Sequence, residues 1–205
     1  MTAKGTTQIK SRQRVAERGE VFTAEREVNA MLDLVKPETE RIDATFLEPS
    51  CGTGNFLAEI LNRKLKAAEQ QKHGVLRDRR MDMFASLSLL AVSSIYGIDI
   101  MADNVSESRQ RLLDILCQWY ETATRGLYPM RNGADGYLPS DELRKAWQYI
   151  LEQNIQQGDF LKMQHPDTHE PLIIRQWLID GHHIHYTDHR LSDLIHEPHK
   201  QLSLW

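Results

Sequence analysis

The sequence predicts an α/β fold, in which helices pack on a partly parallel sheet and a β-hairpin follows near the C-terminus. Over residues 23–165, short apolar runs alternate with longer segments of helical periodicity. This alternation is typical of parallel sheets, because consecutive parallel strands are joined by crossover helices. Two alternating segments, Leu172–Asp180 and Ile184–Arg190, flank an Asp-Gly pair that favours a hairpin turn. We therefore divide the chain into an α/β domain over residues 1–170 and a hairpin with its tail over residues 171–205.

The individual elements follow from the spacing of apolar residues, which recur every three or four positions on the buried face of a helix. Helices are expected over 25–35, 56–65, 83–93, 104–120 and 140–151, and strands over 44–47, 94–98 and 154–157. Thr23 is a candidate N-cap of the first helix, and Pro37 is expected to end that helix. Residues 126–139, which are rich in Gly and Pro, predict a surface loop.

Length and charge limit the classes of function. The 205 residues suffice for one domain with a real core, and the net charge is −4. No apolar run approaches the roughly 18 residues that a membrane span needs, and the N-terminus lacks the apolar core of a signal peptide. We therefore expect a cytoplasmic protein without membrane contact, with Cys51 and Cys117 as free thiols. Contact with DNA would rest on another subunit or on a local patch such as residues 63–80, where seven Lys and Arg accompany two acids.

A glycine-containing segment between the first strand and the next helix carries the strongest functional signal. It reads Glu48-Pro49-Ser50-Cys51-Gly52-Thr53-Gly54-Asn55-Phe56-Leu57. Gly52 and Gly54 permit a backbone close enough to touch a ligand, and the free amides at the helix start attract a carboxylate. Glu48 stands where the ammonium group of a ligand would need a counter-charge. Cys51 is interpreted as a small residue in a tight loop rather than a nucleophile, because no His partner is indicated.

This segment resembles the first motif of DNA adenine-N6 methyltransferases, a D/E-P-x-C-G-T/S-G run that holds the methionine part of S-adenosylmethionine. Three further segments fall in the order of that family. Gly19–Thr23 resembles the motif whose Phe and Thr help cover the cofactor, although Ala24 replaces the usual Pro. Tyr96–Ile100 resembles the second motif, in which Asp99 would accept the ribose hydroxyls. Gly158–Phe160 resembles the third, in which the Asp accepts from the adenine amino group.

The resemblance covers roughly residues 15–165. It implies a Rossmann-like methyltransferase fold for residues 1–170 and S-adenosylmethionine as the cofactor. The cofactor-binding residues that it implies are Phe22, Thr23, Glu48, Pro49, Cys51, Gly52, Gly54, Asn55, Phe56, Asp99, Ile100, Asp159 and Phe160.

The base-binding motif of the family, Asn/Asp/Ser-Pro-Pro-Tyr/Phe, is absent from the residues after Phe160. That motif holds the flipped adenine, so no catalytic residue is assigned in this chain. In the family's sheet the first strand lies between the second and the fourth. The resemblance therefore implies that the first strand forms a sheet edge here, covered by the hairpin or by another polypeptide. We expect a second methyltransferase subunit that supplies the base-binding loop and the contact with DNA.

The C-terminal residues show two further patterns. The pentapeptide Gln201-Leu202-Ser203-Leu204-Trp205 resembles the motif by which bacterial replication proteins dock on the sliding clamp. The alternative is an apolar tail that packs on its own domain. Six histidines lie within residues 182–199; we expect solvated strand positions and no metal, with a metal site in the hairpin as the alternative.

Two classes of function are consistent with these patterns. The leading interpretation is the S-adenosylmethionine-binding subunit of a DNA adenine-N6 methyltransferase, in a restriction–modification or phage-defence system, inactive without its partner. The rival is a catalytically inactive module or scaffold that keeps the methyltransferase-like pocket and docks on the sliding clamp. Methylation of a small molecule or an RNA, which needs no Pro-Pro-aromatic loop, is a third alternative.

Overall fold

The structure, a computed structural model, describes residues 23–71, 79–125, 127, 138–180 and 183–196. Its helices are α1 (Glu25–Asp33), α2 (Lys36–Thr39), α3 (Asn55–Gln70), α4 (Arg80–Ser93), α5 (Ala102–Ala123), α6 (Asp141–Asn154) and α7 (Leu191–His196). Its strands are β1 (Phe46–Glu48), β2 (Ile95–Asp99), β3 (Ile155–Gln157), β4 (Ile173–Asp180) and β5 (His183–Arg190). None of these helices is long and apolar enough to cross a membrane.

Three strands form a parallel sheet in the order β1-β2-β3, so that β2 is central. Phe46 pairs with Ile95, and Ile155 pairs with Gly97. The strands β4 and β5 form an antiparallel hairpin. The predicted α/β architecture is confirmed in this form: a three-stranded parallel sheet flanked by helices, followed by a C-terminal hairpin.

The two faces of the sheet are covered by different parts of the chain, because alternate residues of β2 point to opposite sides. Ile95 belongs to the large core that the helices build, whereas Tyr96 and Ile98 belong to a smaller cluster with Leu172, just before the hairpin. The Tyr96 hydroxyl donates to the carbonyl of Arg175 at 2.8 Å. The hairpin is thereby held against the face opposite the large core.

The buried faces of the two longest helices agree with the predicted periodicity. Leu57, Leu61 and Leu65 on α3, and Leu112 and Leu116 on α5, are at most 1% exposed. Complete burial of one leucine side chain contributes about 1.5–3 kcal/mol. These positions therefore stabilise the packing of both helices on the sheet.

The prediction of Thr23 as the N-cap of α1 is wrong. The N-cap is Ala24, and no side chain caps the helix from that position. Glu27 compensates in part, since its carboxylate accepts a hydrogen bond from the Ala24 amide at 3.1 Å. The local sequence therefore supplies the cap from inside the first turn rather than from the residue before it.

The end of α1 also differs from the prediction. The helix stops before Val35, and Pro37 lies in the first turn of α2, where its missing N–H breaks no helical hydrogen bond. Met31 and Val35, expected on the buried face, are 55% and 44% exposed. Val28 and Leu32 are buried, so the contact face of α1 is narrower than its apolar spacing predicts.

The remaining elements agree with the prediction in type, with shifted ends. β1 lies at 46–48 rather than 44–47, α4 begins at residue 80 rather than 83, and α7 is not predicted. Ser140 caps α6, because its hydroxyl accepts a hydrogen bond from the Leu143 amide at 3.2 Å. The predictions for residues 19–22, for most of 126–139, for the hairpin turn at Gly181 and for the pentapeptide over 201–205 lie outside the described residues.

Candidate functional site

The carboxyl ends of the parallel strands form the candidate site. β1 ends at Glu48, β2 ends at Asp99, and Gly158 directly follows β3. Because the strands are parallel, their carboxyl ends lie together at one end of the sheet. Cys51 N donates to Ile98 O at 2.9 Å, and Gly158 N donates to Asp99 O at 2.9 Å. The structure therefore brings together the three segments that the sequence singles out after the strands.

The loop between β1 and α3 turns through two glycines with positive φ. Gly52 has a φ of 51° and Gly54 a φ of 82°, which residues with a Cβ rarely adopt. Gly54 N donates to Cys51 O at 2.8 Å, and Gly54 O accepts from Ala58 N at 2.8 Å as α3 begins. A Cβ on Gly54 would lie 2.5 Å from Ser108 Oγ on α5. The turn itself thus favours glycine at both positions, and at Gly54 a Cβ would also clash with Ser108, independently of any ligand.

Asp99 is buried, and its carboxylate accepts three hydrogen bonds from the protein. Gly52 N donates to Oδ2 at 2.8 Å, while Met101 N at 2.8 Å and Asn104 Nδ2 at 3.2 Å donate to Oδ1. A carboxylate offers about four lone-pair positions, so these contacts leave one position on Oδ2 open. Asp99 therefore links the glycine loop to the start of α5, and a ribose would share its carboxylate with these donors.

The start of α3 is tied to the segment before α1 through Asn55. Its Nδ2 donates to Thr23 O at 2.9 Å, and Arg111 Nη1 donates to Asn55 Oδ1 at 2.5 Å. These bonds place Thr23 beside the start of α3, next to the glycine loop. Phe22, the other residue predicted in that cover, lies outside the described residues.

The third segment is held in a tight turn. Asp159 Oδ1 accepts from Lys162 N at 3.1 Å, and Oδ2 pairs with Lys162 Nζ at 3.3 Å. Hydrogen bonding to the Lys162 backbone lowers the pKa of Asp159, which is therefore ionised at neutral pH. Phe160 packs against the smaller cluster on the hairpin side of the sheet. Asp159 thus stabilises its own turn, and Phe160 contributes to the packing beneath the hairpin.

Burial shifts the pKa of two groups in the first segment. It raises the pKa of Glu48, and together with the charges of Asp99 and Glu48 it raises the pKa of the Cys51 thiol, which stays protonated. A protonated, buried thiol is a poor nucleophile, in agreement with the interpretation of Cys51 as a small loop residue. The remaining predicted residues are Pro49, which is exposed, Phe56, which is partly buried, and Ile100, which is 36% exposed.

Two cavities lie outside the candidate site. One, of about 440 Å³, lies along β3 and is lined by Arg109, His165 and Glu170 among others. The other, of about 560 Å³, lies between α1–α2 and α3 and is lined mainly by charged and amide side chains. Neither is lined by Gly52 or Asp99, so neither coincides with the predicted cofactor residues.

Sequence reasoning misses two cations that are bound within the α/β domain, one fully and one partly buried. Lys64 on α3 is fully buried, and Arg109 on α5 donates to two backbone carbonyls at the junction of α6 and β3, both at 2.8 Å. Burial lowers the pKa of both groups. The sequence spacing could have indicated that both side chains face inward. Lys64 stands four residues after Ile60, and Arg109 four residues after Val105, which places each on the same helix face as a buried residue.

The basic segment over residues 63–80 presents fewer cations than its sequence predicts. Arg63 pairs with Asp33 and Glu59, both at 2.9 Å, and only 14% of its side chain is exposed. Lys64 is buried, whereas Lys66 is exposed. Two of the seven cations in the predicted DNA patch are therefore engaged inside the protein.

The hairpin histidines form no metal cluster within the described residues. No group of three or more His, Cys, Asp or Glu side chains there is arranged to hold a metal ion. The rings of His183 and His185 lie 6.3 Å apart on one face of β5, and His182 lies outside the described residues. The alternative of a metal site in the hairpin gains no support from this arrangement.

Comparison with known protein families, with curated proteins and with solved structures finds no match to this chain. The functional interpretation therefore rests on the residues of the site and on their geometry. The main features of that geometry are the glycine turn, the shared carboxylate of Asp99 and the common edge at which the parallel strands end.

Proposed function

We propose that this chain is the S-adenosylmethionine-binding subunit of a DNA adenine-N6 methyltransferase, with a Rossmann-like arrangement of its sheet and helices, in a restriction–modification or phage-defence system. One observation carries the proposal: Gly52 N donates to the Asp99 carboxylate at 2.8 Å, across 47 residues of sequence. This bond joins the two segments that resemble the first and second motifs of the family. A ligand that spans both would meet a main-chain turn at one end and an acid at the other.

In this proposal each end of the cofactor has its own partners. The carboxylate of its methionine part lies against the amides that open α3, and Glu48 is the counter-charge of its ammonium group. Asp99 accepts one ribose hydroxyl at the open position of Oδ2. Acceptance of a second hydroxyl releases Asn104, whose bond of 3.2 Å is the longest of the three. When bound, the cofactor supplies an electrophilic methyl group, and the residues named here orient it.

The acceptor base would be held by a partner chain, because no residue after Phe160 belongs to a Pro-Pro-aromatic motif. The sheet is compatible with such a partner. Among the described residues β1 is a terminal strand, and Leu47 on it remains 38% exposed, while the hairpin covers the face at Tyr96 and Ile98. A parallel partner strand beside β1 would end next to Glu48, at the carboxyl end of the sheet, where the cofactor is proposed to lie.

Calorimetry with S-adenosylmethionine tests cofactor binding by this chain. We expect binding by the wild type and about a tenfold or greater loss in Asp99→Asn, because an amide cannot accept hydrogen bonds at both of its ends. Asp114→Asn, at an exposed position of α5, is the matched control and should bind like the wild type. Circular dichroism checks that each variant is folded. Equal affinity for wild type and Asp99→Asn, or no binding by any of them, contradicts the proposal.

Methyl transfer separates the proposed enzyme from the alternative. We expect tritium transfer from S-adenosylmethionine to DNA only when the product of the neighbouring gene is present. Cofactor binding without transfer to any DNA would instead favour a catalytically inactive module that docks on the sliding clamp. The sequence Gln201–Trp205 motivates that alternative, and unchanged clamp binding after deletion of these residues would exclude it.

A further inference from the structure

Lys64 is a fully buried lysine at the end of the sheet opposite the candidate site. It lies on α3, ten residues after Gly54, which corresponds to about 15 Å along a helix. Because α3 runs back along the sheet, its first turn lies at the carboxyl ends of the strands and Lys64 lies near their amino ends. Lys64 is thus far from the ligand residues but belongs to the same helix as the glycine turn.

The Lys64 ammonium has three oxygen partners. Nζ donates to Ile42 O at 2.8 Å, to Ala44 O, and to Ser94 Oγ at 2.7 Å. Ile42 and Ala44 precede β1, and Ser94 immediately precedes β2. An ammonium group has three N–H donors, so all of them are used. The side chain therefore connects α3 to the starts of two neighbouring strands.

These contacts can accommodate a neutral amine as well as an ammonium ion. A neutral amine donates two hydrogen bonds and accepts one. The two carbonyls can accept only, but the Ser94 hydroxyl can also donate. In the observed arrangement Ser94 Oγ lies 2.9 Å from Ala91 O and 3.1 Å from Ile42 O; rotation of its proton toward Nζ would satisfy the amine. Ser94 is thus the partner that adapts to either state.

We propose that Lys64 is a proton-sensitive latch that ties α3 to the starts of β1 and β2 and so holds the glycine turn in place at the other end of the helix. The opposite end of α3 is fixed separately, by the bond from Gly52 to Asp99 at 2.8 Å. Because burial disfavours the ammonium ion, protonation would weaken the tie at Lys64, whereas the buried Leu61 and Leu65 would still pack α3 on the core. The inference concerns the support of the turn and holds whether or not the turn binds S-adenosylmethionine.

The surroundings of Lys64 favour loss of its proton near neutral pH. Burial lowers its pKa to about 7; the charge of Asp43 raises the pKa, and that of Arg41 lowers it. Both charged groups come from the loop before β1, whereas β1 contributes the uncharged ring of Phe46, 5.4 Å away, and the start of β2 contributes the Ser94 hydroxyl. Asp43 is itself bound by Arg41 at 3.1 Å, so its charge is partly compensated.

The sign of the pH effect follows from linkage. The ordinary pKa of lysine is about 10.4, above the value in the folded chain. Between pH 7 and about 10.4 the unfolded chain therefore binds more protons than the folded chain, and stability rises with pH. Below pH 7 both states are protonated and this contribution is constant.

Carbon-13 NMR of the lysine Cε positions in the full wild-type chain tests the latch directly. We expect one resonance, assigned through its Overhauser contacts to the Phe46 ring, to titrate near pH 7. Titration of that resonance near pH 10 overturns the proposal. This experiment needs no substitution and does not depend on cofactor binding.

Variants test the mechanical part of the proposal. Between pH 7 and 9.5, the melting temperature of the wild type should rise by roughly 5–10 °C more than the melting temperature of Lys64→Met does. Amides of residues 51–61 should exchange faster in Lys64→Met, whereas Lys66→Met, at an exposed position of the same helix, should match the wild type. The same pH dependence of the melting temperature in both proteins, or unchanged amide exchange, overturns the proposal.

If Lys64→Met does not fold, amide exchange of residues 51–61 in the wild type provides the test. Protection, corrected for intrinsic rates, should be lower at pH 6 than at pH 9. Equal protection at the two pH values overturns the proposal.

Discussion

The two outer strands of the parallel sheet, β1 and β3, present different edges. At β3, Arg109 donates to Ile155 O and Glu152 O, both at 2.8 Å, and the Gln156 side chain donates to Ile173 O at 2.7 Å. At β1, the described residues add no further strand, and Leu47 is 38% exposed. A blocked edge resists strand addition, whereas an open edge is a template for it. Among the described residues, the sheet is therefore blocked on the β3 side and open on the β1 side.

The largest expected effect is a loss of stability when the Arg109 side chain is removed from the edge of β3. Arg109→Met leaves the carbonyls of Ile155 and Glu152 without their donor, and we expect a loss of about 2–3 kcal/mol in the free energy of unfolding. Urea denaturation measures it. Arg26→Met, at a position whose side chain is 93% exposed, is the control and should change stability by less than about 0.5 kcal/mol. If Arg109→Met behaves like the control, the protection of β3 does not depend on this side chain and the comparison fails.

A smaller effect, of a different kind, is expected at β1. Leu47→Lys places a charge on the open edge and should weaken association with the proposed partner subunit by about tenfold or more, which is about 1.4 kcal/mol. Stability of the isolated chain should change little because Leu47 is already partly exposed. Sedimentation of this chain mixed with the proposed partner measures association. The matched control is Leu161→Lys, at a position that is 91% exposed. Equal loss in both variants would mean that the edge has no special role.

The smallest effect is expected in the hairpin that covers the β2–β3 side. Arg175 donates to both Asp188 oxygens, at 2.7 and 2.8 Å, and these bonds lower the pKa of Asp188. The pair should therefore stabilise the fold above pH 4 and lose this contribution as the pH falls through the lowered value. Since 41% of the Asp188 side chain is exposed, the contribution should not exceed about 1 kcal/mol. Denaturation between pH 2 and 6 should show it in the wild type and not in Asp188→Asn; Asp180→Asn, at the far end of the hairpin, controls for the substitution. Identical profiles for wild type and Asp188→Asn would show that the pair does not stabilise the hairpin.

Local rules predict much of this fold. The helical spacing of Leu57, Leu61 and Leu65 is read correctly because burial of one helix face repeats with the helix period. The glycine turn is also predicted, since Gly52 and Gly54 both adopt positive φ. The errors at Thr23 and Pro37 each arise where two signals compete within one turn. Thr23 is a favourable N-cap residue, but the acid inside the helix, Glu27, provides the hydrogen bond instead. Pro37 can end a helix, but it is also favourable in the first turn of the next one.

The sequence alone determined the order of elements, the glycine turn and the acids that follow the strands, because these features depend on neighbours within a few positions. Only the tertiary structure decided how those acids are used. Asp99 meets Gly52 across 47 residues, Lys64 meets Ser94 across 30, and Arg109 meets Ile155 across 46. Such partners depend on how layers pack, and a buried polar group takes whichever partner the packing brings within reach, since leaving it unpaired costs more than any local preference provides.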